Sequence, residues 1–315
     1  MVMRGDVYLQ EQIRQGLSAQ QAQKRLVGQL QALWQLVFED DAAYTDIFFD
    51  TVFRAEDAMV FEKDGEILSM LFLLAVAFPT DTGVSYQGRY VYAVATHPKA
   101  RGKGYCGALL RQSEGEIAAR GERFAALHPA SETLYGFYRR FGYETAFSCA
   151  ELLLPAYADV QNADGIECLL LSQQQFEKLY PAFGTHRRQE LLWRKETLPF
   201  LYREAVAQRG GAFAVLREGS PIGCGLYYQP EDRMIIKDWY LDCTGSQREI
   251  VTKTEKALSR LWPQKEIFLR IPEKKVADWG KKAVSQPFGM IKYIENPFDG
   301  GALRNQYGFM GAVLD

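Results

Sequence analysis

Residues 90–107 read YVYAVATHPKARGKGYCG. The first half alternates β-branched and aromatic residues with small ones, which predicts a strand over Gly88–Thr96. His97-Pro98 ends it, because proline restricts the residue before it and cannot donate to a ladder. Arg101-Gly102-Lys103-Gly104-Tyr105-Cys106-Gly107 follows, and a helical pattern begins at once with Ala108–Arg120. A glycine turn at a helix start leaves backbone N–H groups pointing outward, at the positive end of the helix dipole. That arrangement suits a pyrophosphate, and glycine lets the oxygens approach the backbone closely. Arg101 and Lys103 add positive charge at the rim.

Three phosphate-binding patterns are compatible with such a turn. A Walker A loop needs a Lys-Ser/Thr pair after its last glycine, and Ala108-Leu109 stands there instead. The dinucleotide fingerprint G-x-G-x-x-G matches Gly102–Gly107 literally. Its strand, however, belongs to a meander led by a hairpin and is not the first strand of a βαβ unit. The third pattern is carried by two motifs taken together, after the surroundings are read.

Upstream, apolar residues recur at helical spacing over 9–37, and a second helix is expected from Asp41 to Val52. Val60–Lys63 and Ile67–Phe78 flank Asp64-Gly65, a strong hairpin signal. Downstream come a short strand Phe124–Leu127, a helix Ser131–Phe141 and a strand Tyr143–Leu154. Pro155 and the polar stretch Tyr157–Gly165 predict a linker, and hence domains 1–155 and 156–315. Past it, Ala212–Arg217, Glu218-Gly219 and Ile222–Tyr228 repeat the hairpin, with Gly65 and Gly219 separated by 154 positions. Met234–Leu241, Arg248–Leu261 and Glu266–Ile271 then repeat strand, helix and strand. The fold class is therefore α/β in an α+β sense: a mixed, mostly antiparallel sheet flanked by helices, used twice.

Composition fits this. The chain has 315 residues, a formal net charge of −2 and 47% hydrophobic residues. These values exclude a disordered chain and a membrane bundle, and they supply no basic field for nucleic acid. Five cysteines without a C-x-x-C pair predict free thiols in a reducing compartment. The N-terminal stretch lacks the apolar core of a secretory signal, so a cytoplasmic location is expected. No His/Cys cluster has metal-ligand spacing, so no metal is expected.

The second motif is Ser131–Glu144, SETLYGFYRRFGYE. With Arg101 and Gly104 of the loop after His97-Pro98, and with Phe137-Tyr138 and Gly142-Tyr143 here, residues 20–154 resemble the GNAT superfamily of N-acetyltransferases. Cys106 stands where that family usually has Gly or Ala. The two-unit layout is similar to the Eis-type acetyltransferases, without their third, sterol-carrier-like domain. The resemblance implies acetyl-CoA as co-substrate and direct transfer of its acetyl group to a primary amine of a small molecule or peptide. It implies that strands 88–96 and 124–127 splay apart, with the backbone of Val94, Ala95 and Thr96 pairing with the pantetheine. Arg101, Gly102, Lys103, Gly104, Tyr105, Cys106 and Gly107 would hold the phosphates, and Tyr138 would protonate the leaving thiolate. A rival from another class is a non-catalytic acyl-CoA-binding protein of the same fold.

No general base stands out. His97, His128, Glu132, Glu144 and Asp315 are candidates, and Cys106 is a candidate nucleophile because a helix N-terminus lowers a thiol pKa. Glu39, Asp40, Asp41 and Asp46, with Phe38, Tyr44, Phe48 and Phe49, line an acceptor cleft in one reading and cap or pack helices in the other. The second unit has Asp242-Cys243-Thr244-Gly245-Ser246-Gln247 in place of the loop, with no arginine and an acidic residue, and is expected to be a degenerate, non-catalytic repeat.

Overall fold

A computed structural model describes residues 1–155, 157, 165–230, 233–243, 247–263, 265–276, 283, 285–298 and 308–311. The chain forms two compact units. The first holds Met1–Ala77, Tyr86–Glu144 and Met290–Pro297; the second holds Phe78–Ser85, Thr145–Gly289 and Phe298–Asp315. The segment Met290–Pro297, read from the sequence as part of the second domain, thus belongs to the first unit.

In chain order the first half gives β1 (Val2–Arg4), α1 (Gly5–Arg14), α2 (Ala19–Phe38), α3 (Ala42–Thr51), β2 (Ala58–Lys63), β3 (Glu66–Pro79), β4 (Ser85–Thr96), α4 (Tyr105–Ala119), β5 (Phe124–Leu127), α5 (Glu132–Arg139) and β6 (Glu144–Leu153). The second half gives β7 (Ile166–Leu171), α6 (Gln173–Gly184), β8 (Leu192–Trp193), α7 (Leu198–Ala207), β9 (Gly211–Arg217), β10 (Ser220–Tyr228), β11 (Arg233–Leu241), α8 (Gln247–Leu261), β12 (Glu266–Ile271) and β13 (Ser285–Tyr293).

The single helix expected over 9–37 is two helices. Gly16 takes φ +103°, which breaks α1. Ser18 then caps α2 through a capping box with Gln21, each side chain bonding the other's backbone N–H. The buried stripe Ala22, Leu26, Leu30, Leu33 and Trp34 follows the helical period.

The repeat is visible in the backbone. Asp64-Gly65 and Glu218-Gly219 all have positive φ, as a two-residue hairpin turn of this twist requires. The β2–β3 register slips by one at Leu68, and the β9–β10 register slips by one at Ile222, again 154 positions on. Both bulges do the same job. The Leu68 carbonyl accepts from the N–H of His97 at 2.8 Å, and the Ile222 carbonyl accepts from the N–H of Asp242 at 2.7 Å. The capping box recurs too: Ser172 and Gln175 repeat the bonds of Ser18 and Gln21 at the same offset. β4 and β5 pair in parallel, as do β11 and β12.

The strand order in the first unit is β1-β2-β3-β4-β5-β13, and in the second β7-β9-β10-β11-β12-β6. The final strand of each is exchanged. β6 follows α5 in sequence but pairs antiparallel with β12, through Leu153↔Phe268 to Ala150↔Ile271. β13 comes after β12 in sequence but pairs antiparallel with β5, through Leu127↔Met290 to Phe124↔Tyr293.

Each unit has its own core. In the first, Leu71, Leu73, Val91, Leu109, Leu110, Ile117, Leu127 and Met290 pack together with Tyr135, Tyr138 and Tyr143. In the second, Phe213, Val215, Met234, Ile236, Trp239, Leu258 and Leu269 do so.

Candidate active site

β4 and β5 pair only over Gly88↔Phe124, Arg89↔Ala125 and Tyr90↔Ala126. Gly88 is required there, because a Cβ would lie 2.5 Å from the Phe124 ring and carbonyl. Beyond Tyr90, β4 runs on without β5, and Ala93 takes φ +46°, a conformation rare for a side-chain-bearing residue. Ser69 fixes the strand end: its hydroxyl donates to the Ala95 carbonyl at 2.8 Å and lies 2.8 Å from the Thr96 hydroxyl.

A cleft of about 600 Å³ opens at this end of the first unit. Val37, Val94, Thr96 and Ala100 line it, with Arg101, Gly102, Gly104, Tyr105, Cys106 and Gly107 of the loop. Leu134, Phe137, Tyr138, Arg140 and Phe141 contribute from the α5 region, and Arg111 from α4. Two members of the sequence-derived set fall outside this lining. The Ala95 side chain is buried on the other side of the strand, and Lys103 is exposed on the loop.

Gly102 and Gly104 have φ +75° and +80°, and a Cβ at either would meet nothing within 4 Å. Their constraint is backbone conformation, together with free approach to the loop. Gly104 is the N-cap of α4. Tyr105 stacks on Phe61 at 3.8 Å between ring centroids and so fixes the helix start. Gly107 has a different reason: a Cβ there would lie 2.8 Å from the Phe141 ring, so α4 and the end of α5 approach closely because it is glycine.

Tyr138 lines the cleft from α5 while its residue as a whole is only 7% exposed. Burial, reinforced by the nearby Cys106, pushes its phenol above the ordinary tyrosine range, so it keeps its proton at neutral pH. Burial pushes the Cys106 thiol up to about 11. Burial here works against the lowering that a helix N-terminus gives a thiol. Tyr143, behind Tyr138 with ring centroids 5.8 Å apart, is raised by burial as well.

His97 and His128 are not in the cleft lining. The Nδ1 of His97 accepts from the Lys99 N–H, capping the short turn before the loop. Asp315, Thr244, Gly245 and Ser246 lie outside the described residues. Of the acidic group near α2 and α3, Asp41 caps α3 by accepting from the Tyr44 N–H at 2.7 Å. Asp40 accepts from the Trp34 indole N–H and Asp46 from Gln31, both at 2.8 Å. Phe48 and Phe49 pack around Trp34 and Phe72. The capping and packing roles hold, and from this region Val37 reaches the cleft.

Arg111 and Arg140 are missed in the sequence reading. Nothing but helical spacing from the glycine loop marks Arg111, and nothing but adjacency to the Phe-Tyr motif marks Arg140. Among the described residues no group of three or more His, Cys, Asp or Glu is placed to hold a metal ion. Among them, too, no helix is long and apolar enough to cross a membrane.

With the geometry in place, comparison gives the class. The family model described as an acetyltransferase (GNAT) domain matches residues 18–146. No curated protein matches the chain. Three solved structures share the fold across most of it. A GCN5-related N-acetyltransferase from Anabaena variabilis is 18% identical with a TM-score of 0.68, covering 85% of this chain and 70% of its own. A conserved protein of Enterococcus faecalis is 17% identical with a TM-score of 0.67, covering 86% and 71%. Eis1 from Mycobacterium abscessus is 14% identical with a TM-score of 0.61, covering 84% and 70%. The fold is that of a GNAT protein with a second unit of the same architecture. Residues 18–146 match that acetyltransferase (GNAT) domain, and the solved structures share the fold around it.

Proposed function

We propose that the protein is an acetyl-CoA-dependent N-acetyltransferase that moves the acetyl group directly to a primary amine of a small molecule or peptide. The observation that carries this reading is the placement of Tyr138 in the same cleft as the Gly102–Gly107 loop. The cleft fits the co-substrate on its own evidence. Its loop has two glycines in the left-handed region with open space at the missing Cβ positions, and its charged lining residues are all arginines.

Acetyl-CoA supplies the activated acetyl thioester. The loop N–H groups and the α4 N-terminus bind the diphosphate, with Arg101 at the rim. The Arg101 Nε donates to the Thr96 carbonyl at 3.4 Å, which ties the rim to the end of β4. The backbone of β4 beyond Tyr90, free of β5, offers edge N–H and C=O groups to the pantetheine amides through Val94, Ala95 and Thr96. The raised phenol of Tyr138 stays protonated and donates that proton as the C–S bond breaks and the thiolate leaves; the new amide nitrogen gives up one proton to solvent, from which the phenolate is reprotonated. Transfer within a ternary complex needs no covalent acetyl-enzyme, in keeping with the raised thiol of Cys106. All five cysteines are free, which supports action in a reducing compartment such as the cytoplasm.

The test is thiol release from acetyl-CoA across a panel of amines, with wild type and Tyr138→Phe. Amine-dependent turnover that falls about a hundredfold in the variant supports the reading. Binding of acetyl-CoA without turnover on any amine supports the non-catalytic rival.

A further inference from the structure

Four arginines of the first unit pair with carboxylates. Arg4 pairs with Asp6 and Glu116, Arg89 with Asp57 and Glu122, Arg120 with Asp57, and Arg123 with Glu295. Arg111 and Arg140 line the cleft and hold no carboxylate among the described residues. Each lies instead over a phenylalanine: the Arg111 guanidinium is 5.8 Å from the Phe141 ring centroid, and that of Arg140 is 5.1 Å from that of Phe137. The two rings are 5.1 Å apart. The four side chains form a row, Arg111–Phe141–Phe137–Arg140, along one wall of the cleft.

Both distances fall within the range of cation–π attraction. A guanidinium held by its face keeps its edge N–H groups free to donate, and that edge matches two phosphate oxygens. The position is also defined. Arg111 lies six residues beyond Tyr105, about 9 Å along the helix axis, and helical side chains lean back toward the N-terminus. The charge therefore sits a short way along the wall from the loop assigned to the diphosphate. No acidic side chain lines the cleft to compete for it.

We infer that Arg111 and Arg140 form a phosphomonoester subsite that reads the 3′-phosphate of CoA, one ribose away from the diphosphate. This rests on the acetyl-CoA reading above and deepens it, since it makes the cleft selective for CoA over dephospho-CoA. Phe137 and Phe141 are positioning residues in this arrangement: they hold the guanidinium planes and do not meet the phosphate.

Calorimetric titration of the full chain with CoA and, separately, with dephospho-CoA tests it. Wild type is expected to bind CoA at least about tenfold more tightly. Arg111→Met and Arg140→Met should each narrow that ratio, and the double variant should bring it close to one. The affinity of the double variant for dephospho-CoA should stay within about twofold of wild type. Equal wild-type affinities for the two ligands overturn the subsite and leave the acetyl-CoA reading standing; this comparison needs no variant and is independent of folding defects. Variants that weaken both ligands by the same factor overturn it as well. Failure of wild type to bind either ligand overturns the acetyl-CoA reading and the subsite with it.

Discussion

The two units differ most where their backbones agree best. In both, a hairpin bulge hands a carbonyl to the residue just past the third strand of the repeat, His97 in one and Asp242 in the other. From there the first unit takes eight positions to reach its helix at Tyr105, and the second takes five to reach Gln247. The first spends those positions on a turn with two left-handed glycines and with Arg101 and Lys103, which pair with no carboxylate among the described residues. The second has neither the glycine pair nor an arginine. Its buried charge lies elsewhere, and it is neutralised internally. Arg187, 2% exposed, bonds both Glu190 and Asp238, and Asp238 also accepts from the Tyr180 hydroxyl at 2.9 Å. By the offset that takes His97 to Asp242, Asp238 corresponds to Ala93. Arg187 of the second unit is thus closed on carboxylates, whereas Arg101, Arg111 and Arg140 line a first-unit cleft that has no acidic lining residue. The lesson is that the frame recurs in both units, while the longer, glycine-bearing turn occurs in the first.

The largest effect expected from breaking this contrast lies in the second unit. Arg187→Met would strand two buried carboxylates, and it should cost about 3–5 kcal/mol by denaturant titration. The network also has a pH signature. Burial alone would raise the Glu190 carboxyl, but Arg187, Lys275 and Lys274 outweigh it, so its pKa in the folded state lies below the ordinary value. A depressed carboxyl contributes stability above the unfolded value of about 4.3 and loses it as the pH falls through the folded one. Wild type should therefore lose stability steeply in acid, and Arg187→Met should show a shallower dependence over the same range.

Next in size is the first unit's chemistry. Tyr138→Phe should lower kcat about a hundredfold with little change in melting temperature. Because burial raises the phenol, wild-type kcat should hold steady as the pH approaches 10, the ordinary tyrosine value. A fall in kcat well below that pH would count against Tyr138 as the acid. Smaller again is Gly104→Val, which forces a branched residue into φ +80° at a cost of about 1–2 kcal/mol. Loop distortion should appear as a roughly tenfold weaker Kd for acetyl-CoA. The smallest effect sharpens the likeness of the units. Ser18→Ala and Ser172→Ala each remove one capping box and should each cost about 1 kcal/mol by thermal melt. Unequal costs would show that the frames are less alike than their hydrogen bonds.

Local signals carried most of the frame. Asp64-Gly65 and Glu218-Gly219 announce their hairpins because only a few residues accept the required φ, and that constraint is written in two letters. The glycine loop and the Phe-Tyr-x-x-x-Gly-Tyr stretch were legible for the same reason. The break at Gly16 is missed in the sequence reading, although Ser18 and Gln21 carry the letters of a capping box, because the apolar spacing of α2 reads back across it. The arginine row was not legible: Arg111 and Arg140 are 29 positions apart, and tertiary packing, including that of Phe141 against Gly107, brings them to one cleft. The acidic stretch Glu39–Asp41 was ambiguous in letters, since capping and substrate binding use the same carboxylates. It is resolved by where Trp34 and the Tyr44 N–H point.

The exchange of β6 and β13 has a consequence for how the chain is made. The sheet beside the candidate active site lacks its last strand until Met290–Tyr293 has been synthesised, although every residue assigned to the chemistry lies before position 142. A nascent chain that has emerged only as far as the linker would expose the β5 edge, an invitation to wrong pairing. Such long-range closure slows folding. Catalytic competence is then a late event in biogenesis, and a stop anywhere before β13 should silence an active site whose own residues are all present.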